Sequence, residues 1–143
     1  MTEETKPAKS QKKQNKFISS HGARKEAIAR IRLYSGKGEI IVNGKPIDQY
    51  FPGKVAKIKW QRPFNLLNVQ DKYYATIKVK GSGKNSQLDA VIHGLSRALN
   101  VANPDFRPTL KKAGLLTRDS RERQRRMVGM GGKSRRAKQS PKR

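Results

Sequence analysis

Tyr73-Tyr74-Ala75-Thr76-Ile77-Lys78-Val79-Lys80 runs into Gly81-Ser82-Gly83-Lys84-Asn85-Ser86, which runs into Gln87-Leu88-Asp89-Ala90-Val91-Ile92-His93-Gly94-Leu95-Ser96-Arg97-Ala98-Leu99-Asn100. In the first segment Ala75, Ile77 and Val79 alternate with Thr76, Lys78 and Lys80. Period two with charge on one face is the pattern of a half-buried strand. In the last segment Leu88, Val91, Ile92, Leu95 and Leu99 recur at helical spacing and form one apolar stripe. Ser86 is the expected N-cap, with Asp89 three residues on. A strand, a glycine turn and an amphipathic helix in succession predict an α+β domain, a small mixed sheet with helices packed on one face.

Upstream, Ala27, Ala29, Ile31 and Leu33 alternate with Ile28, Arg30, Arg32 and Tyr34. This predicts another half-buried strand, with a helix as its rival because Ala and Arg are good helix formers. Ser35-Gly36-Lys37-Gly38 reads as a turn into Glu39-Ile40-Ile41-Val42, and the two runs together predict a hairpin. Asn43-Gly44 closes the second run. Pro46 to Trp60 is expected to be helical in part, broken at Pro52-Gly53 and again before Pro63. Trp60, Tyr50 and Phe51 are expected to pack in or beside the core. Beyond Asn103 the pattern collapses at Pro104, Pro108 and Gly114, and Leu110, Leu115 and Leu116 are the last apolar anchors.

The organisation expected is therefore a disordered Lys-rich arm over 1–16, a globular domain over 17–116 and an extended basic tail over 117–143. The arm and the tail have too few apolar residues to offset the entropy of ordering alone. The core is small, so isolated stability is expected to be marginal.

Charge sets the class of partner. The chain has 143 residues, with Lys plus Arg at 34 against 10 acids and a formal net charge of +24. At that charge a compact free fold repels itself, and a polyanion is the simplest partner. A membrane-surface helix would need an apolar face opposite the basic one, which the basic end lacks. No apolar run approaches the ~20 residues that span a bilayer. Residues 1–16 have no apolar segment of a secretory signal, and Glu3 and Glu4 set them apart from a transit peptide. The expected location is cytoplasmic. With no cysteine, disulfides, thiolate metal sites and thiol catalysis are excluded.

The tail carries Arg118, Arg121, Arg123, Arg125, Arg126, Lys133, Arg135, Arg136, Lys138, Lys142 and Arg143 against Asp119 and Glu122. Arginine presents a planar fork to phosphate oxygens and stacks on bases, so this composition suits a folded nucleic acid. Charge alone does not separate RNA from DNA. The few aromatics there make base reading by stacking a poor fit. The basic edges of the domain add Arg24, Lys25, Lys84 and Arg97 as candidate contacts.

One enzymatic reading fails on spacing. Placing Gly83-Lys84 on the phosphate-loop motif G-x-x-x-x-G-K-[ST] puts Lys78 where the first Gly belongs and Asn85 where the hydroxyl belongs. Nucleotide hydrolysis therefore lacks its Mg²⁺ ligand. The loop can still serve RNA, since glycines allow close backbone approach and the helix start behind them attracts anions. His21 and His93 are the only histidines. Neither forms a catalytic or metal-binding constellation by sequence, and no cofactor is expected.

Separate blocks in order also resemble the bacterial-type ribosomal protein S nine family, the ninth protein of the small subunit, from about His21 to Arg143. Gly22-Ala23-Arg24-Lys25-Glu26-Ala27-Ile28-Ala29-Arg30 is similar to its opening strand. Val42-Asn43-Gly44-Lys45-Pro46 and Gln49-Tyr50-Phe51 resemble its second strand and turn. The glycine loop with Ser86, Gln87 and Ala90, then His93 to Leu99, resembles its signature. Arg107 to Asp119 resembles the start of its tail. The resemblance implies a domain like the second domain of ribosomal protein S five, with a left-handed βαβ crossover. It further implies seating on ribosomal RNA in the small-subunit head, among neighbouring head proteins, with the terminal Lys142 and Arg143 touching the peptidyl-site tRNA. Two positions depart from the family: Ser82 replaces the middle of three glycines, and Pro141 separates Ser140 from Lys142-Arg143, lengthening and stiffening the tip.

Overall fold

A computed structural model describes residues 17–129. The expected arm over 1–16 and the candidate contacts Lys133, Arg135, Arg136, Lys138, Lys142 and Arg143 lie outside the described residues.

The described chain is α+β. The strands are β1 (Ile18–Arg24), β2 (Ala27–Ser35), β3 (Ile41–Val42), β4 (Lys45–Pro46) and β5 (Tyr73–Lys80). The helices are α1 (Ile47–Tyr50), α2 (Lys54–Leu67), α3 (Lys84–Ala102) and α4 (Arg107–Lys112), with a 3-10 turn at Pro104–Phe106. The sheet order is β1-β2-β5-β3-β4. β1–β2, β2–β5 and β3–β4 are antiparallel, whereas β3 and β5 run parallel and are joined through β4, α1 and α2.

The strand patterns over Ala27–Tyr34 and Tyr73–Lys80 stand as read. Ala27, Ala29, Ile31 and Leu33 are buried on the same side as Ala75, Ile77 and Val79. α3 lies on this side against β1 and β2 and contributes Leu88, Val91, Leu95 and Leu99 to one core, to which α2 adds Trp60 and Phe64.

The pairing differs from the expected hairpin. β2 does not pair with β3, because β5 lies between them and takes both neighbours. The parallel β3–β5 contact brings residues far apart in sequence together, which no local turn signal reports. The actual hairpin joins β1 to β2 through Lys25-Glu26, where Lys25 takes φ +52°. Gly22 to Arg30, matched as one opening strand, is thus two strands. β1 (Ile-Ser-Ser-His-Gly-Ala-Arg) carries no strong alternation and escapes a hydrophobic-pattern reading.

Three boundaries also shift. α2 continues through Pro63, which is fully buried, so packing of the ring outweighs the missing hydrogen bond to Lys59. α3 begins one turn before the expected N-cap: Gly83 caps it, and Ser86 is buried inside its first turns. After Asn103 the chain does not lose structure at once. Pro108 sits in the first turn of α4, where the absent N–H costs nothing, and Leu110 is buried. Leu115 and Leu116 then pack on the core.

β1 and α3 approach closely where two glycines face each other. A Cβ on Gly22 would overlap the Ala90 carbonyl oxygen and the Gly94 backbone, and one on Gly94 would press on Ile31 and Gly22. α3 therefore rests directly on the backbone of β1.

Candidate nucleic-acid interface

The glycine loop is held from beneath by a chain of polar contacts. Gly81 and Ser82 have φ +85° and +52°, and Gly83 is the N-cap of α3. A left-handed Ser82 costs about 1 kcal/mol that a glycine would avoid. The Gln87 amide donates to the Gly81 carbonyl at 3.1 Å, and the Tyr50 hydroxyl donates to Gln87 Oε1 at 2.9 Å. Asn43 Nδ2 lies 3.3 Å from the Tyr50 hydroxyl.

Asn43 also binds both backbone groups of Val79, donating to its carbonyl and accepting from its N–H at 2.9 Å each. Its side-chain amide thereby continues the ladder where β3 stops. With φ +50° at Asn43 and +81° at Gly44, the same residue turns the chain into β4. Sequence reading found the turn but not this second role. It also placed Tyr50 in packing alone, whereas Tyr50 supports the loop and sits under Lys84, whose Nζ is 3.4 Å from the ring centroid.

The fold brings several candidate cations to one end. A Cβ on Gly81 would overlap the Glu26 carbonyl oxygen, so the β1–β2 turn carrying Lys25 abuts the loop carrying Lys84. Both lysines are exposed. Arg24, in contrast, is mostly buried and used internally. Its guanidinium pairs with Asp119 at 3.0 Å and donates to the carbonyls of Asp119 at 3.4 Å and Arg121 at 2.9 Å. Asp89 on α3 lies 3.9 Å from its Nε. Arg24 is thus a latch that fixes the root of the basic tail to the hairpin.

Arg121 completes the latch by forking onto both Asp119 oxygens, at 2.7 Å through Nη2. This fork, the Arg121 backbone N–H and nearby Arg24 hold the Asp119 carboxyl well below the usual carboxylate range, and the same pair raises Arg121. Arg118 pairs with Glu122 at 3.7 Å. Arg123 and Arg125 are exposed in a stretch without regular secondary structure.

A second group of basic side chains crosses from α3 to the β1 edge. Arg97 donates to the His21 carbonyl at 2.9 Å and lies 3.1 Å from His21 Nε2, which must accept because guanidinium only donates. The Ala23 N–H donates to His93 Nδ1 at 3.4 Å, and the His93 ring also bonds the Leu116 backbone. Burial lowers the His93 pKa, with Arg97, His21 and Arg118 adding repulsion. His93 joins β1, α3 and the tail root in its neutral form.

Among the described residues no group of side chains has the makeup of a metal site, and no helix is long and apolar enough to cross a membrane. What the geometry assembles is a basic end with a latched, arginine-rich exit.

Comparison with known proteins agrees on one family. The family model described as ribosomal protein S9/S16 matches residues 22–143. The chain belongs to the ribosomal protein S9/S16 family. A Desulfovibrio desulfuricans protein named small ribosomal subunit protein uS9 is 44% identical over 115 residues, covering 80% of this chain and 88% of that protein. A protein of the same name from Maridesulfovibrio salexigens is 45% identical over 116 residues, covering 81% and 89%. One from Rickettsia felis is 46% identical over 114 residues, covering 80% and 70%. As a member of the S9/S16 family this chain is a structural ribosomal protein and not an enzyme. The Gly81 loop and the Asp119 latch both lie inside the matched region.

Proposed function

We propose that this chain is a constituent of the small ribosomal subunit, seated on ribosomal RNA of the head beside neighbouring head proteins. Functionally it divides at about residue 117. The globular domain anchors, and residues 117–143 neutralise phosphates where RNA helices crowd. Lys142 and Arg143 contact the peptidyl-site tRNA. The observation that carries the reading is the Arg24–Asp119 latch, which starts the basic segment at the same end as Lys25 and Lys84. A tail held at its root enters RNA with less orientational entropy to lose than a free one.

Sedimentation tests the location. The tagged chain should co-sediment with small subunits through a high-salt gradient; recovery only at the top of the gradient, with binding to arbitrary duplex DNA, would point to a free nucleic-acid module. The tip has its own test. Removing Lys142 and Arg143 should leave assembly intact and weaken tRNA retention in the peptidyl site. Retention at the parental level would remove the tip from the account.

A further inference from the structure

The sheet face opposite the helices is not covered by any helix among the described residues. Its outward residues are Ser19 and His21 on β1, Ile28, Arg30, Arg32 and Tyr34 on β2, and Tyr74, Thr76, Lys78 and Lys80 on β5. None of these three strands contains an acidic residue. In the register, Arg30 stands directly opposite Lys78 and also opposite His21. Like charges facing each other across antiparallel strands are destabilising, because the side chains stand only ~5 Å apart at Cβ. No ion pair among the described residues relieves Arg30, Lys78 or Lys80. The domain thus keeps an arrangement that is unfavourable in the free chain and favourable only beneath an anion.

The shape of the face limits what that anion is. Cations two residues apart on one strand stand ~6.6 Å apart, a spacing that suits successive phosphates along a nucleic-acid strand. One end of the face is an aromatic ladder. Tyr34 stacks on Tyr74 with centroids 5.1 Å apart, and Phe17 tilts onto Tyr34 at 5.8 Å. Gly38 closes the Tyr74 end, since a Cβ there would press on that ring. At the other end of the ladder Phe17 is 44% exposed, with the Arg32 guanidinium 5.0 Å from its ring centroid. Phosphate-spaced cations beside an exposed ring and a guanidinium plane suit an unpaired nucleotide next to its backbone. A carboxylate-rich protein surface would use the charge but not the ladder.

We propose that this open face is a second RNA-binding surface, separate from the tail. Arg30, Arg32, Lys78 and Lys80 hold the phosphodiester backbone, and Phe17 with Arg32 receives an unpaired base. The inference rests on the ribosomal-RNA reading above, and its test separates the two.

The full chain is titrated against a small-subunit ribosomal RNA head fragment across a salt series. The Arg30→Gln/Lys78→Gln variant is compared with a control of equal charge loss, Lys54→Gln/Lys59→Gln on α2, and with the tail variant Arg123→Gln/Arg125→Gln. The face variant should bind more weakly than the control and flatten the log K against log salt slope by about one to two. It should also melt no lower than the parent, because a like-charge contact has been removed. A face variant indistinguishable from the control overturns the proposal, and if the tail variant still flattens the slope the tail reading survives that failure. Unchanged RNA binding with lost co-sedimentation would assign the face to a protein partner and equally overturn it.

Discussion

Arg24 reaches three acceptors at once: the Asp119 carboxylate and the carbonyls of Asp119 and Arg121. A lysine offers a point charge without the fork. Arg24→Lys should therefore loosen the tail root almost as much as Arg24→Ala. Limited proteolysis between Arg121 and Arg126 should quicken in both, with a lower Tm; a parental cleavage rate in the lysine variant would contradict the fork. Two titrations bear on the same region. The Asp119 pKa is depressed, so its stabilisation is complete above the ordinary carboxyl value of 3.8 and is lost as pH falls below that. His93 is also depressed, chiefly by burial, from 6.5. Its contribution is complete above pH 6.5 and lost as pH falls below that value, because the unfolded chain then binds the proton more readily. Thermal melts at pH 7.5 and pH 5.5 should show a drop for the parent and a smaller one for His93→Gln, which keeps a donor and an acceptor without titrating. Equal drops would exclude His93 as the source.

Among the elements, the crossing of α3 over β1 carries the heaviest constraint. Alanine is normally favoured over glycine in a helix by about 1 kcal/mol. At Gly94 that gain is opposed by Ile31 and the Gly22 backbone, and at Gly22 the obstacle is backbone alone. Gly22→Ala should destabilise by about 3 kcal/mol, measured by urea denaturation; a change within experimental error would mean that α3 can lift off β1. These contacts also show what sequence patterning could and could not reveal. The faces of β2, β5 and α3 were legible because each buries one side and the period of the apolar residues records it. The strand order was not, because β5 enters between β2 and β3 by a long-range parallel pairing. β1 was missed because it rests on a glycine against a helix and needs few large apolar side chains. The loop lysine was legible from its glycines, but Asn43, Tyr50 and Gln87 were not, since a side chain that completes a sheet ladder has no sequence signature beyond its turn. Arg24 was read as a phosphate ligand by its charge alone, while its partner at Asp119 lies 95 residues away.

For the whole molecule the net charge is +24, and among the described residues the cations gather at a basic end, on an open sheet face and along an arginine-rich exit. Burial of the apolar core around one sheet has to hold the domain together against that repulsion. The free protein is consequently expected to gain stability from any polyanion it binds, rising with the logarithm of ligand concentration over Kd. Membership in the ribosomal protein S9/S16 family makes RNA the polyanion to test. The most direct measurement is the salt dependence of binding to small-subunit ribosomal RNA by the full chain and by a chain ending at Leu116. Each phosphate contact contributes a slope of roughly −0.7 to −0.9 in log K against log salt. If residues 117–143 supply the main phosphate contacts, the shortened chain should lose several such contacts and give a visibly shallower line. Two parallel lines would contradict the account.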